Sequence, residues 1–204
     1  MTNTKIILAS ASPRRHELLL SVGLPHEILV TDADETPRGK RDASQTAAEF
    51  FATEASKTKA EAALSALQSR LDGGERLIVV ASDTVVSPDG EKIFGKPASD
   101  ENACSMLRTL SGGAHYVVGG ITVTDGKKTV TRSVTTEVHF KSLTDEEISA
   151  YVATGECRDK AGAYGIQALG GRFVTHIVGD YPNVVGISVF ALWDILSGEF
   201  GFNQ

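Results

Sequence analysis

Cysteine is nearly absent: Cys104 and Cys157 are the only two among 204 residues. Two sulfurs cannot build a four-cysteine zinc site, and no C-x-x-C occurs. Their scarcity fits a reducing compartment. No disulfide staple is needed, since a chain of this length buries roughly 70% of its unfolded surface on folding. Long apolar runs are missing too. The N-terminal region offers only Ile6-Ile7-Leu8-Ala9, too short for a signal-peptide core, and no run approaches a membrane span. The expected location is the cytoplasm, with no membrane partner. Positive charge is in deficit: 20 Lys+Arg against 26 Asp+Glu leave a net charge of -6. A chain this acidic does not grip a nucleic-acid backbone through bulk charge, so nucleic acid is not an expected partner. A phosphate ligand would have to meet a local basic cluster. What is present is an ordinary globular composition, 41% apolar with twenty glycines outside that count. No repeat, low-complexity tract or linker divides the chain, so residues 1–204 read as a single catalytic domain.

The order of elements predicts a mixed α/β fold. Lys5 to Ala9 reads as a buried strand and Ser12-Pro13 as a helix start, with Gly23 as its stop. His26 to Thr31 reads as a second strand and Asp32 to Asp42 as a loop. Ser44 to Leu71 is rich in helix formers and predicts one long helix. Leu77 to Ala81 is continuously apolar, as in a strand buried on both faces. Val85 to Phe94 reads as a hairpin, and Ser99 caps a helix to Leu110. Val117 to Thr124 and Val130 to Phe140 flank an Asp125-Gly126 turn. Thr144 to Glu147 forms a capping box for a helix to Ala153. Gly155 to Gly171 is irregular, Phe173 to Val178 a strand, and Ser188 to Leu196 a terminal helix.

Several segments carry chemistry. Ser10-Ala11-Ser12-Pro13-Arg14-Arg15 follows a strand and opens a helix, whose N-terminus presents free N–H groups. Two hydroxyls and two guanidinium forks complete a phosphate cradle, although the same residues suit a capped surface helix with solvated arginines. Ser82-Asp83-Thr84 lies beyond the Leu77–Ala81 run, where ligands of α/β sheets bind. A carboxylate there can hold a metal or take a proton from water, or simply bond a turn. Lys96, between Gly95 and Pro97, can reach a phosphate. Gly155 to Gln167 sets charges and a primary amide among glycines, which suits either a base-reading loop or a tight structural one. Asp32-Ala33-Asp34-Glu35-Thr36 resembles the D-x-D-x-T start of haloacid dehalogenase-like phosphatases, with Asp32 as nucleophile and Ser82 and Gly179-Asp180 as later motifs. That family continues with apolar residues, whereas Pro37-Arg38-Gly39-Lys40-Arg41 follows here. The phosphatase reading also leaves Ser12–Arg15 and Asp159–Gln167 without a role.

In order, LASASPRRHELL (8–19), DADE (32–35), SDTVV (82–86), GKP (95–97), LSGGAH (110–115), GECRDKAGAYGIQ (155–167) and NVVG (183–186) resemble the Maf family of nucleotide pyrophosphatases over almost the whole chain. The resemblance implies a mixed central sheet flanked by helices, in two lobes with an active-site cleft between them. It implies hydrolysis of nucleoside triphosphates to monophosphate and pyrophosphate with a divalent metal, Mg²⁺ or Mn²⁺. DKAGAYGIQ resembles the branch acting on dTTP and UTP. Matched by residue, the proton acceptor falls on Asp83, and the specificity positions on Arg14, Thr84 and Gln167. Other pocket positions fall on Ser12, Arg15, Glu35, Lys59, Lys96, Asp159 and Lys160, with Lys57 offering a register comparable to Lys59. Glu35 and Asp83 are the expected metal carboxylates. A homodimer is compatible with the resemblance. The family's historical name also implies a non-catalytic nucleotide-binding regulator of cell division. Bare carboxylates beside a triphosphate argue against that reading, since they make sense only with a metal. The chain departs from the family pattern at Cys157 and Ser188, where Pro is usual, and at Ala168, where Gly is usual. The methyl at Ala168 is expected to bear on the loop carrying Gln167.

Overall fold

Alternating side chains of the first and third strands decide the architecture. Ile6, Leu8, Ile78 and Val80 are buried on one face of the sheet, and Ile7, Ala9, Leu77, Val79 and Ala81 on the other. A strand buried on both faces needs helices above and below it. The computed structural model, which describes residues 4–202, has this arrangement. Its six strands are β1 (Lys5–Ala9), β2 (Glu27–Ile28), β3 (Leu77–Ser87), β4 (Ala114–Thr124), β5 (Thr129–Phe140) and β6 (Val174–Val178). They form one sheet in the order β2-β1-β3-β4-β5-β6. β1 is parallel to β2 and β3, and every later pairing is antiparallel, so the sheet is mixed.

The helices are α1 (Pro13–Ser21), α2 (Ala47–Ala66), α3 (Gln68–Asp72), α4 (Asp100–Leu110), α5 (Asp145–Ala153), α6 (Tyr181–Val185) and α7 (Val189–Phe200). α2 covers one face of the N-terminal half through Ala60 and Ala63, with Leu67 just past its end. Leu19 of α1 and Leu192 and Ile195 of α7 cover the other. A second core gathers Leu107 and Leu110 of α4, Ile148 and Tyr151 of α5, Phe140 and Phe173. β3 and β4 contribute to both cores, with Val80 and Val123 in the first and Val86 and Val117 in the second. The two lobes therefore share their long strands. No helix among the described residues is long and apolar enough to cross a membrane.

Three expectations are corrected. The second strand shrinks to Glu27–Ile28: Leu29 N–H still donates to the Leu8 carbonyl at 3.0 Å, but β1 ends at Ala9 and its ladder with β2 stops there. The long helix starts later, at Ala47, behind a capping box of Thr46 and Glu49, and breaks at Leu67 into α2 and α3. Asp83 does not follow a strand that stops at Ala81; β3 runs on to Ser87. It is the neighbour β1 that ends, its Ala9 paired with Ala81, so Asp83 lies beyond the end of that partner.

Candidate active site

The end of β1 leaves one edge of β3 open, and a cleft of about 810 Å³ occupies the gap. Side chains alternate along β3, so Ser82 and Thr84 face one way and Asp83 the other. Because the cleft lies at the sheet's open edge, Asp83 and Thr84 both reach it. β4 presents Gly120 opposite Asp83 and Gly119 opposite Thr84. These glycines answer close approaches. A Cβ on Gly120 would sit 2.1 Å from the Ala52 carbonyl of α2, and one on Gly119 would sit 2.1 Å from Asn183 Oδ1 of α6.

On the Asp83 face, α2 delivers Lys59. Its Nζ donates to Asp83 Oδ1 at 2.6 Å and pairs with Glu35 Oε2 at 3.1 Å. The Asp83 side chain is 13% exposed and that of Glu35 46%, so the strand carboxylate is the enclosed one. Lys57 pairs instead with Glu54 at 2.7 Å, which separates the two lysine registers.

On the Thr84 face, the Gly186 carbonyl is the hub. It accepts from Arg15 Nε at 2.8 Å, Ser82 Oγ at 3.1 Å and Thr84 Oγ1 at 3.2 Å. Arg15 also donates to Ser10 Oγ at 3.2 Å and Thr84 Oγ1 at 3.0 Å. Burial lowers the Arg15 pKa, and the charge of Asp83 opposes that shift. Arg15 thus lies at the cleft as a buried brace joining α1, β3 and the end of α6. Arg14 keeps a freer guanidinium, pairing among the described residues with Asp159 Oδ2 alone, at 3.3 Å.

The glycine-rich segment closes the other side. Lys160 Nζ donates to Asp159 Oδ1 and to the Glu156 carbonyl, each at 2.7 Å. Lys160, with Arg14 adding to it, holds the Asp159 carboxyl below the ordinary carboxylate range. Lys96 is exposed, and the Gly95 carbonyl beside it accepts from Gly162 N–H at 3.1 Å. Gln167 is exposed, and its amide has no hydrogen-bond partner among the described residues. Ala168 has φ of −128°, which any L residue adopts, so its methyl adds no backbone strain.

Ser12, Arg14, Arg15, Glu35, Lys59, Asp83, Thr84, Lys96, Asp159, Lys160 and Gln167 all line this one cleft. Its charged lining is five cations against three carboxylates, the reverse of the chain's net sign. Ser12 precedes α1 without a side-chain cap; its N–H donates to Ser10 Oγ at 3.1 Å. The sequence reading quoted NVVG (183–186) but gave Asn183 and Gly186 no role in the site. The signal was there: two adjacent glycines inside a strand mark a close approach of backbone.

The dehalogenase-like alternative does not assemble. Asp32 is exposed and outside the cleft lining. Asp180 caps α6 through Asn183 N–H and accepts from Ser188 Oγ, while Ser82 is buried against Gly186. Ser188 in turn caps α7, which a proline in its place would not do. Cys157 is fully buried in the second core, and burial pushes its thiol pKa up.

Comparison with known proteins follows the same lines. A Chromobacterium violaceum protein named dTTP/UTP pyrophosphatase is 44% identical over 200 residues, covering 98% of this chain and 96% of the relative. A Clostridium novyi protein of the same name is 44% identical over 202 residues, covering 98% of this chain and 99% of the relative. The solved Staphylococcus aureus Ham1 protein superposes with a TM-score of 0.50 at 18% identity over 96% of this chain and 99% of its own, a likeness of fold. A family model described as Maf-like protein matches residues 5–199, a stretch holding every residue of the cleft lining, and the chain belongs to the Maf family.

Proposed function

We propose that the protein hydrolyses nucleoside triphosphates, dTTP and UTP foremost, to the monophosphate and pyrophosphate. The observation that carries this reading is the cleft's charge arrangement: a cationic lining around two carboxylates that share one ammonium group. The relatives named dTTP/UTP pyrophosphatase support the choice of substrate.

The residues divide the work by position. Arg14, Lys96 and Lys160 face the anionic phosphates and neutralise charge that builds on the departing pyrophosphate. Asp83, fixed on a central strand and oriented by Lys59, accepts the proton of the water that attacks the α-phosphorus. As the new P–O bond forms, the bond to the bridging oxygen breaks and pyrophosphate leaves. Asp83 and Glu35 would hold a divalent cation, Mg²⁺ or Mn²⁺. The fit rests on the donors, since both carboxylates already reach one cationic nitrogen and a hard ion that keeps its waters needs few protein ligands. No group of three or more His, Cys, Asp or Glu suited to a metal gathers among the described residues. When bound, such an ion supplies charge neutralisation at the phosphates. Incubation with each nucleoside triphosphate and Mg²⁺, resolving pyrophosphate from orthophosphate, tests the reading. Orthophosphate as the sole product overturns it.

Gln167 supplies base selection. Held in one orientation, its amide offers a donor and an acceptor that match the O4 and N3–H edge of uracil or thymine, and cytosine mispairs with that orientation. UTP and dTTP are expected ahead of CTP. Gln167→Glu, which accepts from the cytosine amino group but cannot donate, is expected to narrow the UTP/CTP ratio of kcat/KM about tenfold, the scale of one hydrogen bond. An unchanged ratio would show that Gln167 does not read the base.

The thiols have no part in this scheme. Cys104→Ala combined with Cys157→Ala is expected to leave turnover within about twofold, as for structural thiols that are inert. Loss of activity in a variant with a native circular dichroism spectrum would establish thiol chemistry.

A further inference from the structure

Gln167 is exposed, and its amide has no hydrogen-bond partner among the described residues. What is fixed is the chain on either side. Two residues before it, Gly165 N–H donates to the Tyr151 hydroxyl at 3.3 Å. Two and three residues after it, Leu169 N–H donates to Glu156 Oε2 at 3.0 Å and Gly170 N–H to Glu156 Oε1 at 3.1 Å. Tyr151 and Glu156 are joined, the phenol donating to Oε1 at 2.9 Å. The loop therefore rests on a single hydrogen-bonded pair at both flanks of Gln167.

We propose that Tyr151 and Glu156 are positioning residues for Gln167, so that discrimination between pyrimidine bases depends on a pair that does not itself line the cleft. The inference rests on the base-reading role given to Gln167 above.

The surroundings are built around the pair. Tyr151 is fully buried on α5, its ring edge-on to Phe173 at 5.0 Å between centroids. Burial, with the Glu156 carboxylate adding to it, pushes the Tyr151 phenol pKa up, so the hydroxyl stays protonated and donating. The loop comes close enough that a Cβ on Gly170 would lie 2.9 Å from the Tyr151 hydroxyl, and one on Gly171 would lie 2.4 Å from the Ile166 carbonyl. The Glu156 carbonyl also accepts from Lys160 Nζ, and the Lys160 stem packs on Gly165. One acidic side chain meets three donors from two parts of the chain, and two acceptor oxygens are needed to satisfy them.

Glu156→Gln replaces one of those oxygens with an NH₂ facing a donor. In the full-length enzyme it is expected to raise KM for UTP about tenfold while kcat changes by less than about twofold, the pattern of lost ground-state positioning. The UTP/CTP ratio of kcat/KM should fall with it. Tyr151→Phe keeps the ring in its socket, removes only the hydroxyl, and should give a smaller fall in the same direction. Added to Gln167→Ala, Glu156→Gln should produce no further fall, since interacting residues are not additive. An unchanged ratio in a folded variant overturns the inference. So does an equal loss on every substrate through kcat, or the same further fall in the Gln167→Ala background. A wild-type enzyme that does not distinguish UTP from CTP overturns the base-reading role instead. Amide hydrogen exchange at Gly165, Leu169 and Gly170 then decides the positioning claim: Glu156→Gln should speed it, and unchanged protection refutes it.

Discussion

Asp83→Asn is expected to lower kcat for UTP by at least about a hundredfold, the scale of removing a general base. The substitution keeps the shape of the side chain and leaves an amide oxygen able to accept from Lys59 Nζ, which now lies 2.6 Å from the carboxylate. What disappears is the charge and the capacity to take a proton. Glu35 cannot substitute, because its side chain is about half exposed on a loop, whereas Asp83 is enclosed and carried by the strand. The fold should survive. Asp83 is not in a hydrophobic core, and the glycine opposite it makes no side-chain contact that an amide would disturb. Steady-state pyrophosphate release, with circular dichroism on the same sample, reads the result. Near-normal turnover would remove Asp83 from the mechanism.

Much of the candidate site was legible because its side chains sit in short local signals. Ser12-Pro13-Arg14-Arg15 announces a helix opening after a strand, and the structure puts α1 there. The Thr144–Glu147 capping box gives α5 its first residue correctly. Legibility fails where position is decided by a distant partner. Arg14 and Arg15 look alike in sequence. Only the Gly186 carbonyl, brought in by α6 from 171 residues away, makes Arg15 a buried brace and leaves Arg14 at the cleft. The exit of β1 from the sheet at Ala9 shortens β2 and opens the edge beside Asp83, and no local pattern encodes that. The end of the apolar run at Ala81 reads as the end of a strand, but β3 continues because β4 still pairs with it through Ser87. Cys157 lies in a segment that lines the cleft elsewhere, yet a 3₁₀ turn over Glu156–Asp159 buries it in the core behind.

Gly120→Ala is expected to cost about 3 kcal/mol of stability, the upper part of the range for overpacking a well-filled interior. In a domain of this size that lowers Tm by roughly 6–12 °C. The new methyl would lie 2.1 Å from the Ala52 carbonyl oxygen and 2.7 Å from the Thr53 nitrogen, which are helix backbone and cannot rotate away. The sheet and α2 must separate. That movement also reaches the site, because Lys59 lies on α2 and Asp83 opposite Gly120. Turnover should therefore fall together with Tm at temperatures where the protein remains folded. Gly198→Ala is the control with the opposite sign. Gly198 is an exposed position inside α7 with nothing within 4 Å of its would-be Cβ. There alanine gains about 0.5–1 kcal/mol by restricting the unfolded chain and suiting the helix. Differential scanning calorimetry on both variants separates the two cases. A Gly120→Ala protein as stable as wild type would mean that α2 does not approach β4 so closely, and the placement of Lys59 against Asp83 would fall with it.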